Sequence, residues 1–329
     1  MSRSAVRIIA DVGGTNCTFA KFDANGALIE QSVNTYLCSR IASFEEALKG
    51  YLSPDENIHS LVIGIAGPVV DGACRATNLP WQLDSFAIKN SFAAKQCVLL
   101  NDMAIQLHGL AQLNLSGKFP LQIGQPSGKT TALIAVGTGL GEGWMVQHEG
   151  SLVVGESEGS HADFGPRNEI QSELLTFLRR SHAHVSWERV VSGSFGFANI
   201  YRFLAKQGVP ATEELDLGMK DSEFGPHVIT AAQRGCKRSE STIEIFISCL
   251  GAEAGNLALK LKSTRGLYVS GGVTHHLMPW LQKRSWFLDA FCDKGRFTEF
   301  MRTIPVHIVL DKFLPLRGAA SVTKLEDRS

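Results

Sequence analysis

The chain has 329 residues, of which 44% are hydrophobic and 19% charged, a composition typical of a soluble globular protein with one large or two medium domains. Lys plus Arg and Asp plus Glu each number 32, so no basic surface for nucleic acid is indicated. The seven cysteines form no CxxC pair, which favours reduced thiols and a cytoplasmic location. The first apolar run ends at Asp11, and no apolar stretch approaches the ~20 residues of a membrane span, so we expect neither a signal peptide nor a membrane partner.

Hydrophobic periodicity alternates strands and helices over the N-terminal third of the chain. It predicts strands at residues 7–11, 17–22, 61–66 and 98–100, and helices at 44–52, 85–95 and 103–113. Residues 117–128 are rich in Gly, Pro and polar side chains, and they are predicted to connect two domains. Beyond them, strands are predicted at 131–136, 143–147, 267–270 and 306–310. Helices are predicted at 169–180, 194–207, 227–234, 241–262, 286–292 and 318–325.

A tight glycine turn joins the first two predicted strands. Its residues are Ala10, Asp11, Val12, Gly13, Gly14, Thr15 and Asn16. Two adjacent glycines allow positive φ and close approach of a ligand, and successive N–H groups then form a concave site for phosphate oxygens. Because Asp11 would repel phosphates unless a cation lay between them, the turn indicates a metal-nucleotide. An ordinary β-hairpin loop is the alternative.

A second glycine-rich turn follows the predicted strand at 131–136. Its residues include Gly137, Thr138 and Gly139, and glycines continue at alternate positions to residue 143. Such glycines would weaken an ordinary strand, so close approach of a ligand to the backbone is favoured. A strand follows instead of a helix, which disfavours a dinucleotide fold. The pattern of residues 8–15 recurs at 134–139, which indicates either a duplicated α/β architecture or a chance similarity of two hairpins.

Three further motifs carry polar or glycine residues at the ends of predicted elements. Asn101 and Asp102 begin a helix after a strand, and they either cap that helix or present Asp102 as a proton acceptor for a substrate hydroxyl. Gly271 and Gly272 either form a simple turn or lie close to a nucleotide base or ribose. Residues 158–164 contain two acids and a histidine without a metal-site spacing.

Two interpretations remain open for that last segment and for a nearby acid. Glu158 and His161 suit hydrogen bonds to sugar hydroxyls, and a polar surface loop with an internal salt bridge is the alternative. Glu188 is explained equally well as a first-turn helix acid that follows an N-cap serine.

Together these motifs resemble those of the bacterial-type glucokinases, the non-ROK glucokinase family of the hexokinase/actin/Hsp70 ATPase superfamily, over nearly the full length of the chain. Residues 11–16 resemble the first phosphate motif, 137–141 the second and 270–273 the adenosine motif. The segments that resemble sugar-side motifs are 77–81, 100–102, 158–164 and 184–193, and the C-terminal family stretches are 294–297 and 304–306. The Cys-rich zinc motif of ROK kinases is absent from the sequence.

The resemblance implies an α/β protein with the two-domain ribonuclease-H-like (actin/hexokinase) fold. A small α/β domain would comprise residues 1–112 and 312–329, and a larger α+β domain would comprise residues 113–311, with the sugar in a cleft between them. The resemblance also implies a homodimer in the cytoplasm and a small-molecule hexose as the substrate.

The implied reaction is ATP-dependent phosphorylation of glucose at its 6-hydroxyl, with Asp102 as the general base. The residues implied to bind the sugar are Asn101, Asp102, Glu158, His161 and Glu188. Those implied to line the ATP site are Ala10, Asp11, Val12, Gly13, Gly14, Thr15, Asn16, Gly137, Thr138, Gly139, Gly271 and Gly272. Mg²⁺ would be held through the phosphates, with Asp11 acting through water and no direct protein ligand.

Two positions and one short segment depart from the family pattern. Ala10 and Ser160 stand where the family has glycine, and residues 313–317 replace a typical Asn-Pro-Gly-Leu-Leu loop on the expected adenine side, so nucleotide affinity is the property most affected. The alternatives are a kinase for another hexose or amino sugar, a non-catalytic sugar-sensing regulator and an actin- or Hsp70-like ATPase. A regulator would be expected to carry a DNA-binding appendage that the sequence does not show, and an ATPase machine would not explain the sugar-binding acids.

Overall fold

The computed structural model describes residues 4–23, 25–76 and 79–326, with side chains described as far as residue 322. Thr77 and Asn78, from one predicted sugar-side motif, lie outside the described residues. The chain divides into two compact units. The first comprises Met1–Leu115 and Asp311–Ser329, and the second comprises Ser116–Leu310. Binding of the sugar between two domains stays a prediction.

The strands and helices have the following bounds. The strands are β1 (Ser4–Val12), β2 (Asn16–Phe22), β3 (Leu28–Leu37), β4 (Glu56–Ile65), β5 (Ala73–Arg75), β6 (Gln82–Asp84), β7 (Gln96–Asn101), β8 (Lys118–Gln122), β9 (Thr130–Val136), β10 (Leu140–His148), β11 (Ser151–Ser157), β12 (Gly266–Ser270) and β13 (Val306–Val309). The helices are α1 (Phe44–Tyr51), α2 (Ser85–Ser91), α3 (Asp102–Leu110), α4 (Glu169–Leu178), α5 (Trp187–Val190), α6 (Gly196–Lys206), α7 (Phe224–Gln233), α8 (Lys237–Leu261), α9 (Gly272–Leu281), α10 (Trp286–Cys292), α11 (Thr298–Thr303) and α12 (Leu314–Glu326).

The first unit contains a five-stranded sheet in the order β3-β2-β1-β4-β7. β1 is antiparallel to β2 and parallel to β4, and β4 is parallel to β7. Alternate residues of β1 face opposite sides, because side chains in a strand have a period of two. Ala10 packs in a cluster with Phe44 and Leu48 of α1, whereas Ile9 packs with Ile105 of α3 and Ala319 of α12. Since both faces are covered, the carboxyl ends of the parallel strands remain as the edge for a site.

The second unit contains a six-stranded sheet in the order β11-β10-β9-β12-β13-β8. β9 is antiparallel to β10 and parallel to β12, and β12 is parallel to β13. This is the arrangement of β1, β2, β4 and β7 in the first unit, with one more antiparallel strand, β8, at the edge. The duplicated α/β architecture predicted from the repeated glycine turns is therefore confirmed.

Helix α8 forms the centre of the second unit. By length and composition it could cross a membrane, which differs from the prediction that no apolar stretch approaches that length. However, 78% of its apolar window is buried inside the protein, as expected of a core helix. Phe246 of α8 stacks on Phe197 of α6 with ring centroids 4.3 Å apart. Burial of these rings explains the apolar composition of the helix without a membrane.

Several elements differ from the sequence predictions. The polar segment 117–128, predicted as a connection, contains β8, which pairs with β13 through Ile308 opposite Phe119. β3 was not predicted, because most of its residues are at least partly exposed at the edge of the sheet. The final helix begins at Leu314 instead of residue 318. All seven cysteines are free thiols, and six of them are buried.

Candidate active site

The first glycine turn joins β1 to β2 at the carboxyl edge of the first sheet. Gly13 donates its backbone N–H to Asn16 O at 2.9 Å, and Cys38 donates its backbone N–H to Thr15 O at 2.9 Å. These bonds fix the turn from both sides. Neither Gly13 nor Gly14 has positive φ, so the expected left-handed conformation is wrong for this turn. Because these two glycines have no side chain, a phosphate group could approach the backbone of the turn closely.

The residues beside this turn differ in what they present. Ala10 and Val12 are fully buried in the apolar cluster of the first unit, so only their backbone atoms could serve a ligand. Asp11 is half-buried, and desolvation raises the pKa of its carboxyl to about 6. Removing a carboxylate from water without a cationic partner disfavours its charged form. Thr15 and Asn16 are exposed at the end of the turn.

Asn101 and Asp102 lie at the same edge of the same sheet. Val12, Ile65 and Asn101 are neighbours in the register of β1, β4 and β7. Since neighbouring strands are about 4.8 Å apart, Val12 and Asn101 are separated by about 10 Å. Ala66 donates its backbone N–H to Val12 O at 3.1 Å, which ties the end of β4 to the glycine turn.

The capping alternative applies to Asn101, which is the N-cap of α3. Its Oδ1 accepts from Met103 N at 2.7 Å, and its Nδ2 donates to Gly67 O at 3.0 Å. The side chain is buried, so these bonds fix the junction between β7 and α3. Asp102 is the first helical residue and is half-buried, at the positive end of the helix dipole. The bonds of Asn101 therefore fix the backbone from which the Asp102 side chain extends.

The second glycine turn is held by the segment that follows α5. Gly137 donates its N–H to Gly139 O at 3.0 Å, Gly193 donates to Gly137 O at 2.9 Å, and Ser194 donates to Thr138 O at 3.0 Å. A Cβ added at Gly137 would meet no atom within 4 Å, so packing does not explain this glycine. A Cβ at Gly139 would lie 2.5 Å from Glu188 Oε1. The structure thus places a predicted sugar-binding acid against the predicted phosphate turn.

Gly271 and Gly272 lie at the same edge, between β12 and α9. Ser270 pairs with Ala135 in β9, which places the two glycines beside the second turn. Gly271 has φ 100°, and a Cβ there would overlap Val136 O. This position therefore requires glycine for structural reasons. Gly272 begins α9, and an added Cβ would meet nothing within 4 Å.

The structure brings Glu158, His161 and Glu188 together in the second unit. His161 Nε2 lies 3.6 Å from Glu158 Oε2, and His161 Nδ1 lies 3.8 Å from Glu188 Oε2. Both distances exceed those of strong hydrogen bonds, so the imidazole stands between two carboxylates without being fully bonded to either. Glu188 has 19% of its side chain exposed, against 50% for His161 and 66% for Glu158. The three side chains form a polar cluster able to donate to and accept from hydroxyl groups.

Two residues of the predicted sugar-side segment 184–193, to which the sequence analysis gave no individual role, support this cluster. His184 lies with Nδ1 3.2 Å from Asp163 Oδ1, and its Nε2 lies 2.9 Å from His161 O. Trp187 donates its N–H to Ala162 O at 3.2 Å, which ties the start of α5 to the 159–161 turn. Both contacts join segments more than twenty residues apart, so neither is visible in local sequence patterns. Within the described ranges, no group of three His, Cys, Asp or Glu side chains could hold a metal ion.

The sequence profile of the glucokinase family matches residues 8–326. The chain belongs to the glucokinase family. It is 38% identical to the glucokinase of Nostoc punctiforme, covering 78% of this chain and 79% of that one. It is 35% identical to the glucokinase of Synechocystis sp., covering 97% of this chain and 98% of that one.

Solved structures of glucokinases show the same fold. A crystal structure of glucokinase from an Antarctic psychrotroph superposes with a TM-score of 0.78 at 28% identity, covering 97% of this chain and 99% of that one. A ROK family glucokinase from Streptomyces griseus, in complex with glucose and AMPPNP, has a TM-score of 0.64 at 19% identity, covering 96% and 98%. The predicted family and the actin/hexokinase-like fold class are therefore confirmed for this glucokinase-family enzyme.

Proposed function

We propose that this enzyme transfers the γ-phosphoryl group of ATP to the 6-hydroxyl of glucose, giving glucose 6-phosphate and ADP. Family membership supports a kinase that acts on glucose. The observation that carries the reaction is the position of Asp102, which begins α3 at the same sheet edge as the glycine turn after β1. A fixed base beside a phosphate-binding backbone is what phosphoryl transfer to a hydroxyl needs.

In the proposed reaction, Asp102 accepts the proton of the 6-hydroxyl. The hydroxyl oxygen forms a bond to the γ-phosphorus while the bond from that phosphorus to the bridging oxygen breaks, and the electron pair leaves with ADP. Asp102 lies in the first turn of α3, beside the positive end of the helix dipole. Asn101 positions this carboxylate through its bonds to Met103 N and Gly67 O.

The glycine turns would hold the nucleotide. The N–H groups of Gly13 and Gly137 bond Asn16 O and Gly139 O, so the other backbone N–H groups of residues 13–16 and 137–139 would donate to phosphate oxygens. Gly271 and Gly272 would lie beside adenosine. Asp11 fits a role in holding Mg²⁺ through water, because its desolvated carboxyl lacks a cation that would stabilise the charged form. When bound, Mg²⁺ neutralises charge on the transferred group.

Glu158, His161 and Glu188 would bind the other hydroxyls of the sugar. The distances of 3.6 and 3.8 Å from the imidazole to the two carboxylates leave these groups able to hydrogen-bond a hydroxyl instead of each other. Asn101 keeps one Nδ2 hydrogen and one Oδ1 lone pair beyond its two structural bonds. Donors and acceptors of these kinds suit a polyhydroxylated substrate.

The substrate assignment is tested by ADP release with glucose, mannose, fructose, glucosamine and N-acetylglucosamine. We expect the highest kcat/KM with glucose. If another sugar gives a higher kcat/KM, that sugar is the preferred substrate and the assignment of glucose is wrong. Asp102→Asn should lower kcat on the preferred sugar by about 100-fold or more. Asp84→Asn is the matched control, because Asp84 caps α2 through Phe86 N and Ala87 N at 2.9 Å and Asn also caps helices. If kcat fell equally in both variants, Asp102 would have only a structural role at the start of α3 and would not be the general base.

We also propose that the enzyme acts as a homodimer in the cytoplasm. Sedimentation velocity at micromolar concentration tests the first part, since a single species of monomer mass would contradict it. Fractionation of cells that produce the protein tests the second.

A further inference from the structure

Two buried acids of the second unit lie outside all the residues assigned above. Glu142 in β10 is 1% exposed and Glu253 in α8 is 0% exposed. Burying a single ionised carboxylate is costly unless it is paired and hydrogen-bonded, and burying two together adds their mutual repulsion. One of the pair must therefore be neutral or strongly supported by other groups.

Burial raises the pKa of both carboxyls, and the surrounding polar and cationic groups offset this more for Glu253 than for Glu142. Asn256 Nδ2 donates to Glu253 Oε2 at 2.9 Å, and Lys260 Nζ lies 3.9 Å from Glu253 Oε1. Lys294, the other nearby cation, donates to Ala252 O at 2.9 Å and to Asn256 Oδ1 at 2.7 Å. Among the described residues, no cation forms a salt bridge with Glu142, on which Lys260 acts only through its charge. The residue opposite Glu142 in β9 is the apolar Ile134.

The two carboxyl groups interact with each other. Among the described residues, Glu142 Oε1 and Glu253 Oε1 are both buried without a hydrogen-bond partner, and a proton shared between the two carboxyls would satisfy both atoms. Burial, followed by the charge of Glu253, raises the pKa of Glu142 to about 8. A protonated Glu142 can donate its O–H to ionised Glu253, so that one proton satisfies both groups.

The pair lies directly beneath the turn that carries two of the proposed sugar-binding residues. A Cβ added at Gly159 would overlap Glu142 Oε2. Gly159 begins the 3₁₀ turn Gly159–His161, and its N–H donates to Ser157 Oγ at 3.0 Å. Ser157 is in turn the register partner of Glu142 across β10 and β11. Any displacement of the Glu142 carboxyl towards this loop therefore moves the turn.

We propose that Glu142 is a positioning residue: as a neutral acid it donates a hydrogen bond to ionised Glu253, and this pair holds the 159–161 turn in its sugar-binding geometry. Loss of the proton places two negative charges in one buried space, and their repulsion drives Glu142 against Gly159. The displaced turn carries His161 and adjoins Glu158, so sugar affinity falls as pH rises. This consequence rests on the sugar-binding roles proposed above.

Steady-state kinetics across pH test the proposal. The glucose KM of the wild-type enzyme should rise by up to about tenfold per pH unit above about pH 8, while kcat changes much less. Glu142→Gln should abolish the rise, because its amide donates to Glu253 at any pH. Glu244→Gln is the matched control, because Glu244 is an exposed acid of α8, the helix that carries Glu253. This variant should keep the wild-type rise of the glucose KM with pH. A flat wild-type KM, or the same rise in Glu142→Gln, would overturn the proposal.

Hydrogen exchange provides a readout that needs neither sugar nor ATP. The amides of His161 and Ala162 donate to Glu158 O at 3.0 Å and to Gly159 O at 2.9 Å. In the wild type their protection should fall above about pH 8, beyond the increase in exchange common to all amides, whereas Glu142→Gln should keep it. If exchange behaves so and glucose is not phosphorylated, the proposed function fails and the pair stands. If exchange and KM are both indifferent to pH while glucose is phosphorylated, the pair fails alone.

Infrared titration of the wild type covers the case in which Glu142→Gln does not fold. A buried carboxylic-acid C=O band should be present at about pH 7 and disappear with a midpoint near 8. Absence of such a band at about pH 7 would contradict a neutral Glu142.

Discussion

The glycine turn between β1 and β2 and the turn between β9 and β10 occupy the same place in two sheets of the same topology. The first turn is preceded by Asp11, whereas Ala135 stands at the corresponding place before the second. Instead, the second turn packs against Glu188, which comes from a different segment. The same strand arrangement therefore has an acid of its own segment, Asp11, at the first turn. At the second turn the acid is Glu188, a predicted sugar-binding residue from another segment. We infer that the first unit supplies the reacting carboxylate, whereas most of the sugar-recognition side chains come from the second.

The ends of β4 and β12 sharpen this comparison, and they give the largest expected effect on stability. Each strand runs into a glycine with positive φ, Gly67 at 145° and Gly271 at 100°. Gly271→Ala should destabilise the second unit by about 3 kcal/mol or more, because the new Cβ meets Val136 O in a strained conformation. Thermal unfolding measures the loss. Gly272→Ala, at an open position, should change stability by less than about 1 kcal/mol, and equal losses would refute the packing argument.

Asp11→Asn tests whether the acid makes the first turn different from the second. We expect kcat/KM for Mg·ATP to fall by about 100-fold, because the variant loses the negative charge that holds the hydrated cation. Since the pKa of Asp11 is raised to about 6, wild-type kcat/KM should decline as pH falls below that value and the carboxyl is protonated. The variant should lack this acid limb. An unchanged limb in Asp11→Asn would assign the titration to another group.

His161→Ala probes the recognition cluster of the second unit. Its loss should raise the glucose KM by about tenfold with little change in kcat, since it removes hydrogen bonds made equally to ground state and transition state. His227→Ala, which removes an exposed histidine of α7, is the control and should leave both constants unchanged. A kcat loss in His161→Ala larger than its KM change would contradict a purely binding role.

The smallest expected effect separates two glycines of the second turn. Gly139→Ala should raise the KM for both glucose and ATP by about threefold to fivefold, because its Cβ displaces Glu188 Oε1, 2.5 Å away. Gly137→Ala should affect only the nucleotide, since its Cβ meets no protein atom within 4 Å. If both variants leave the glucose KM unchanged, the contact between turn and sugar-side acid has no functional effect.

Local patterns predicted much of the scaffold. The apolar runs and the Gly-Gly pair gave the β1–β2 hairpin, and the Asn101–Asp102 junction gave the end of β7 and the start of α3. Asn101 was predicted in two roles, and its cap on α3 is confirmed by the bond to Met103 N. These features follow from neighbours within a few residues, where turn and capping preferences act.

Features that depend on distant partners were not predicted. β8 pairs with β13, far away in the sequence, and its five residues include a proline and carry no strong strand signal. Glu142 lies in a glycine-rich string that pointed only to phosphate, and its partner Glu253 lies on a core helix. The available signal in the sequence was an acid within the run of Gly and apolar residues from 139 to 146, but its role depends on the tertiary fold.

The division of labour between the units is tested most directly by single-turnover phosphoryl transfer in Asp102→Asn and Glu188→Gln, with glucose affinity measured separately by calorimetry. The account predicts that Asp102→Asn slows transfer at saturating substrates by about 100-fold or more while glucose Kd changes by less than about threefold. Glu188→Gln should weaken glucose binding by about tenfold and transfer at near wild-type rate once saturated. Near-normal transfer in Asp102→Asn, or a transfer defect in Glu188→Gln that saturation does not relieve, would contradict it.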